Sequence, residues 1–159
     1  MKEPQFTEFP PEEYELRVTR ARALMEEEGL DALQLTQMEN VRYLAGYLSL
    51  LWISKFRPLL ALVPRDPALA PTLILPGQEY GNAKTSWIEN IAFYKDQDDP
   101  IGTVVNVLDK TGLQGLKVGV EQGYGSRLGM AQVQWEHRQA ILCRRVCRQR
   151  TALSSLTRY

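Results

Sequence analysis

The first periodic segment of the chain lies between the Pro10–Pro11 pair and Gly29. Its apolar residues recur three or four positions apart, the spacing of one buried helix face; they are Tyr14, Val18, Ala21 and Met25. Proline fits the first turn of a helix, where its missing N–H needs no partner, and glycine suits the end. The pattern therefore predicts a helix across this segment.

Short apolar runs then alternate with further helical spacings. Strands are predicted at 31–36, 59–63, 72–75, 90–94 and 117–121. Helices are predicted at 39–45, 78–86, 101–108 and 128–142. The turn Pro64–Pro67 makes the second and third strands a hairpin, so the sheet should be mixed. This alternation indicates an α/β fold in which helices flank a mixed β-sheet.

The last 22 residues, 138–159, differ in composition from the rest of the chain. They hold six arginines, no acid and both cysteines, Cys143 and Cys147. The preceding 137 residues hold 13 basic and 19 acidic residues, a net charge of −6 that the tail cancels with +6. A basic arm can bind nucleic acid, but the apolar residues within this one argue against it, so no nucleic-acid partner is expected.

A different explanation fits the tail better. GC-rich coding DNA read in a shifted frame yields many arginines, because CG-containing triplets encode arginine. A closing strand is also expected after the last predicted helix, where the tail lies instead. Our hypothesis is that 138–159 is an aberrant segment, a frameshift or truncation product. Salt-dependent DNA binding that disappears when the tail is deleted would favour the nucleic-acid arm instead.

Composition excludes several classes of protein. The longest apolar stretch, Pro58–Pro64, is far shorter than the roughly 20 residues that span a bilayer. The acidic N-terminus lacks the apolar core of a secretory signal, so we expect no membrane association and a cytoplasmic location. Two cysteines and the single histidine, His137, are too few for a structural zinc site.

Several stretches together carry a family resemblance. They are the helix end at 25–33, the segment Asn40-Val-Arg-Tyr-Leu-Ala-Gly-Tyr47, the strand at 58–64 and Lys117-Val-Gly-Val-Glu121. In order and spacing they resemble the N-terminal domain of the pita-bread metallohydrolases creatinase, prolidase and aminopeptidase P. The resemblance implies a ribonuclease-H-like domain at 1–137, followed by the aberrant tail.

In that family the chemistry belongs to a following domain, which holds a pair of divalent metal ions. The resemblance therefore implies that the catalytic pita-bread domain is absent here, and that the chain has no catalytic residue, no metal ligand and no cofactor. Alone it should be inactive, and it should act on a small-molecule or peptide substrate only together with a catalytic domain. The implied role is assembly of a homo-oligomer and gating of a neighbouring subunit's active site. The alternative is a stand-alone binding module with the same fold.

The stretch 51–58 is the candidate for contact with substrate in a neighbouring subunit. It carries Trp52, Phe56 and Arg57. The two aromatic rings could cover an apolar substrate while the guanidinium binds its carboxylate. This stretch resembles the creatinase branch more than the dipeptide-cleaving members. The alternative is a hairpin whose aromatic residues pack on the sheet and whose arginine pairs with an acid.

The segment 40–47 also has a purely structural interpretation. Asn40 could cap a short helix, Tyr43, Leu44 and Tyr47 could pack inward, and Gly46 permits the left-handed residue that ends the helix. In the glycine-rich run 123–129 the third glycine falls one position too late for a dinucleotide-binding loop, so the run is interpreted as a turn leading into a helix. Glu121 is interpreted as a carboxylate at the end of a strand rather than a base.

Overall fold

The computed structural model of the chain describes residues 8–53, 57–95 and 100–121. Three helices and five strands, numbered in chain order, form its framework: α1 Pro11–Glu27, β1 Ala32–Leu35, α2 Met38–Ala45, β2 Leu60–Pro64, β3 Thr72–Pro76, β4 Asn90–Tyr94, α3 Pro100–Lys110 and β5 Val118–Val120. Three single turns of 3₁₀ helix lie at Leu50–Ile53, Gly77–Tyr80 and Asn82–Thr85.

The five strands form one mixed sheet in the order β4-β3-β2-β1-β5. β2 pairs antiparallel with both β1 and β3, whereas β4 and β5 lie parallel to their neighbours at the two edges. The predicted hairpin is confirmed: Leu60 of β2 lies opposite Ile74 of β3. This is the mixed α/β fold that the hydrophobic pattern predicts.

Helices cover both faces of the sheet. On one face, apolar residues of α1 and α2 pack against side chains that include Leu35, Val63 and Leu73. On the other face, α3 packs against Leu60, Leu62 and other residues of alternating position along the same strands. Because both faces are covered, all four residues of β1 are buried, where the sequence pattern suggested alternation.

One carboxylate joins three strands at the same end of the sheet. Asp31, just before β1, accepts hydrogen bonds from Arg65 Nη2 at 2.8 Å and from Lys117 N at 2.9 Å. Its own carbonyl accepts from Arg65 N at 2.9 Å. The start of β1 is thereby tied to the end of β2 and to the residue that precedes β5, which fixes the register of these three neighbouring strands.

The structure corrects two local predictions. The segment 78–86 forms two 3₁₀ turns, Gly77–Tyr80 and Asn82–Thr85, rather than one helix. Asn40 lies inside α2 and is not its N-cap, which is Gln37. The predicted helix at 128–142, the glycine-rich run, His137 and the basic tail lie outside the described residues. Among the described helices, none has the length and apolar character needed to cross a membrane.

Candidate functional site

The N-terminus of α2 is capped by a residue distant in the chain. Glu121, only 7% exposed, accepts hydrogen bonds from the backbone N–H groups of Thr36 at 2.5 Å and Gln37 at 2.8 Å. Asn40 donates to its second oxygen through Nδ2. These two N–H groups lie just before α2, and a carboxylate suits this position because the N-terminus of a helix carries partial positive charge. Glu121 thus holds α2 against the end of β5.

The middle of the 40–47 segment packs against α1. Arg17, 8% exposed, lies 4.5 Å from the ring centroid of Tyr43 and 4.4 Å from that of Phe9. Its Nη1 donates to the carbonyl of Tyr43 at 3.1 Å, and its Nε donates to Glu13 at 3.0 Å. Aromatic faces attract a cation, so this arginine holds the two helices together without a fully buried ion pair.

The end of α2 requires glycine for two separate reasons. Gly46 has φ +62°, in the left-handed region that residues with a Cβ seldom occupy. A Cβ built on Gly46 would also lie 2.8 Å from Cζ of Tyr14. The same Tyr14 ring stacks on Trp87 with ring centroids 6.3 Å apart. The predicted left-handed glycine is therefore present, and it serves packing as well as helix termination.

After Gly46 the chain reaches a buried carboxylate. The hydroxyl of Tyr47 donates to Glu79 Oε2, and Asn82 Nδ2 donates to the same oxygen at 2.8 Å. Tyr47 is fully buried and Glu79 is 8% exposed. Burial, with the hydrogen bond to Glu79 as the next cause, raises the pKa of Tyr47 far above its ordinary value. Tyr47 therefore acts as a hydrogen-bond donor to the carboxylate at physiological pH.

An open groove of about 470 Å³ lies above this carboxylate. We call it the Trp52 groove; its lining residues are Met38, Leu48, Ser49, Leu50, Trp52, Ile53, Glu79 and Asn82. Two rim side chains are almost fully exposed, Leu50 at 87% and Ile53 at 84%. The groove thus has an apolar rim and a carboxylate on its floor. This arrangement is suited to binding a ligand rather than to catalysis.

The donor set of this region does not fit a metal centre. Within 8–53, 57–95 and 100–121, no three histidine, cysteine, aspartate or glutamate side chains come together as ligands. Glu79 and Glu121 each lie among neutral donors rather than beside a second carboxylate. We therefore derive no metal-dependent step from the described residues.

Comparison with known proteins supplies the family. The sequence model of the Creatinase/Prolidase N-terminal domain matches residues 17–141. The chain belongs to the creatinase/prolidase N-terminal domain family. No curated protein sequence matches it significantly.

Solved structures of this family share the fold. The N-terminal domain of a Xaa-Pro dipeptidase from Lactobacillus brevis superposes with a TM-score of 0.70 at 17% identity, covering 88% of this chain and 97% of that one. The creatinase/prolidase N-terminal domain of an X-Pro dipeptidase from Streptococcus pyogenes gives 0.63 at 20% identity, covering 80% and 88%. Dipeptidase PepE from Mycobacterium ulcerans superposes with a TM-score of 0.63 at 23% identity. That match covers 84% of this chain but 33% of the PepE chain.

The structure locates two of the three site residues predicted from the sequence, and their contact with substrate stays a prediction. Trp52 lies on the 3₁₀ turn Leu50–Ile53, lines the groove and packs in part against the core. Arg57 is half-buried and precedes β2. Phe56 lies outside the described residues. Residues 50–53 form a helical turn rather than the hairpin of the alternative interpretation, but Trp52 packs against the core as that alternative expects.

Sequence reasoning missed the polar residues of the groove. Glu79 and Asn82 lie in the segment Gly77–Asn82, where no apolar periodicity marks a buried position. The available signal was weak: a glutamate soon after a largely apolar strand, on a short turn that keeps it near the sheet. Glu121 was recognised as a carboxylate at the end of a strand, but its cap on α2 was not foreseen.

Proposed function

We propose that this chain is the non-catalytic N-terminal domain of a metal-dependent C–N hydrolase, in which it supports oligomer assembly and covers the active site of a neighbouring subunit. Trp52 and Arg57, together with Phe56, are the residues proposed to contact substrate there. Family membership supports the first part. Coverage supports it too, since the match spans nearly all of two N-terminal domain structures but a third of a whole dipeptidase.

The observation that carries the covering role is the exposed apolar rim beside Trp52. Leu50 and Ile53 project from a single helical turn with most of their surface in water. Apolar side chains that cluster on a surface are typical of a site that contacts another molecule. A rim of this kind beside an aromatic side chain suits the cover of a pocket on a second subunit.

A subunit-mixing experiment tests the covering role. It uses a protein in which this domain is followed by its catalytic domain. One variant carries Trp52→Ala and Arg57→Ala, and the other has an intact N-terminal domain and lacks one metal ligand. Each alone should be inactive. Mixed oligomers should regain activity, because the intact N-terminal domain of the second variant covers the intact catalytic site of the first.

The control mixes the same metal-ligand variant with a second variant that carries Leu16→Ala and Leu116→Ala. These two leucines are exposed and lie outside the groove lining. That variant should be active before mixing. If the Trp52/Arg57 variant keeps full activity alone, or if mixing restores none, the proposal of cover in trans is wrong.

A further inference from the structure

We propose that the Trp52 groove binds a protonated primary amine that carries an apolar chain, with the ammonium group on Glu79. This inference goes beyond the proposed function. The groove is formed by a single copy of the chain, but it shares the Leu50 and Ile53 rim with the proposed subunit contact, so the amine and a second subunit would compete for it. The basis of the inference is the charge on the floor of the groove and the number of hydrogen bonds that this charge accepts.

The first step is the state of the Glu79 carboxylate. Its donors among the described residues are the Tyr47 hydroxyl and the Asn82 amide, and both bind Oε2. Neither donor carries a charge, and none of the ion pairs between described residues includes Glu79. The Glu79 residue is only 8% exposed, and an ion pair is stronger where water is largely excluded than on an exposed surface, so a cation that enters the groove would pair well with this carboxylate.

The second step is the distribution of hydrogen bonds between the two oxygens of Glu79. Oε1 accepts no hydrogen bond from the described part of the chain, whereas Oε2 already accepts two. A guanidinium group binds a carboxylate best when it reaches both oxygens side by side. An ammonium group is a compact donor that needs only one. The occupancy of Oε2 therefore favours a primary ammonium over a guanidinium.

The third step is the apolar part of the ligand. Of the groove lining, Met38, Leu48, Leu50 and Ile53 are aliphatic and Trp52 is aromatic. A chain that extends from the ammonium group toward this rim would cover exposed apolar surface on both molecules. A volume of about 470 Å³ is within the usual range for small-ligand sites, about 300–1,000 Å³. The ligand class is thus an alkylamine or an arylalkylamine rather than a small hydrophilic cation.

Calorimetric titration of the whole chain tests the inference. The probes are hexylammonium chloride, its neutral counterpart hexan-1-ol and hexylguanidinium chloride. Hexylammonium should bind at least about tenfold tighter than hexan-1-ol. A tenfold ratio of dissociation constants corresponds to about 1.4 kcal/mol, a modest gain for an ion pair with a buried carboxylate. Equal affinities, no binding of hexylammonium, or tighter binding of hexylguanidinium would each overturn the proposal.

Three variants locate the site. Glu79→Gln keeps the shape of the side chain and should remove the preference for hexylammonium over hexan-1-ol. Glu12→Gln, which alters an exposed acid on α1, is its matched control and should leave the preference intact. Leu50→Ser changes a residue that is 87% exposed, so folding should tolerate it, and it should weaken both probes equally. If Glu79→Gln does not fold, the test rests on the comparison of the probes on the unchanged chain and on Leu50→Ser. If Leu50→Ser leaves the affinity for both probes unchanged, the ligand does not bind in the Trp52 groove.

Discussion

At the scale of single residues, the geometry at Gly46 predicts how much a substitution there lowers the free energy of unfolding. Gly46→Ala should destabilise the fold more than the left-handed backbone alone explains, which is about 1–2 kcal/mol. The excess arises because the new methyl group would lie 2.8 Å from the Tyr14 ring. Urea denaturation followed by circular dichroism measures the free energy of unfolding.

A second glycine in the same conformation separates the two costs. Gly112 has φ +66°, and a Cβ there would meet no atom within 4 Å. Gly112→Ala should therefore show only the backbone cost, and Gly46→Ala should exceed it. Equal losses in the two variants would mean that the contact with Tyr14 is relieved cheaply and that Gly46 serves only to end the helix.

Tyr47 makes the fold sensitive to alkaline pH. Burial and the hydrogen bond to Glu79 raise the pKa of Tyr47 in the folded protein, whereas the unfolded chain ionises near the ordinary value of about 10. The stability that depends on this difference is complete below about pH 10 and is lost as pH rises toward the folded-state pKa. Unfolding by urea at about pH 9 and about pH 11 should show the loss.

Tyr47→Phe should reduce that loss between the two pH values. Tyr14 contributes in the same direction, because burial raises its pKa as well, so some loss should remain. Tyr80→Phe is the control: its side chain is 69% exposed, and the loss should match that of the unchanged protein. A Tyr47→Phe variant with an unchanged dependence on pH would contradict the role assigned to this hydroxyl.

At the scale of secondary structure, the contact between Glu121 and α2 is the test case. Glu121→Ala should destabilise the domain by about 2–4 kcal/mol, since each buried donor left unpaired costs about 1–3 kcal/mol and several donors converge here. Glu121→Gln should cost less, because an amide oxygen still accepts hydrogen bonds. Chemical denaturation of both variants gives the values.

Glu27→Ala is the control for removal of one acid. Glu27 is exposed in the last turn of α1, where an acid gains nothing from the helix dipole. Its replacement should change the free energy of unfolding little. If Glu121→Ala were as mild as Glu27→Ala, the N-terminus of α2 would not depend on the carboxylate from the end of β5.

The same elements show how far the sequence predicts this structure. The spacing in α1 and the β2–β3 hairpin were predictable because their signals are local: helical periodicity in one case, a proline-bounded turn between apolar runs in the other. The left-handed Gly46 was predictable for the same reason. Its contact with Tyr14 was not, because that distance depends on how α1 packs against α2.

The candidate site was harder to predict because its partners are far apart in the chain. Tyr47 and Glu79 are 32 positions apart, and Asn40 and Glu121 are 81 apart. Which side chains meet over such separations depends on strand order and on register, neither of which periodicity reveals. Trp52 was predicted from its aromatic, apolar surroundings to contact substrate in a neighbouring subunit; it lines the groove, and that contact stays a prediction. The carboxylate beneath the groove gave no comparable signal.

At the scale of the whole molecule, the exposed rim predicts self-association. Leu50 and Ile53 lie one turn apart, almost fully in water, and burial of both would remove apolar surface from solvent in each copy. We expect the chain to form dimers, and we expect Leu50→Ser combined with Ile53→Ser to shift it toward monomer at equal concentration. Sedimentation velocity under reducing conditions measures both.

A matched pair of variants shows whether the rim is specific. Leu16→Ser combined with Leu116→Ser removes two leucines that are 45% and 44% exposed and that do not line the groove. This pair should leave the dimer intact if association uses the rim. If both pairs of substitutions weaken association equally, the association is a non-specific contact between exposed apolar residues. If the unchanged chain stays monomeric at the highest concentration reached, the rim does not join two copies, and a covering role would then require the surface of the catalytic domain.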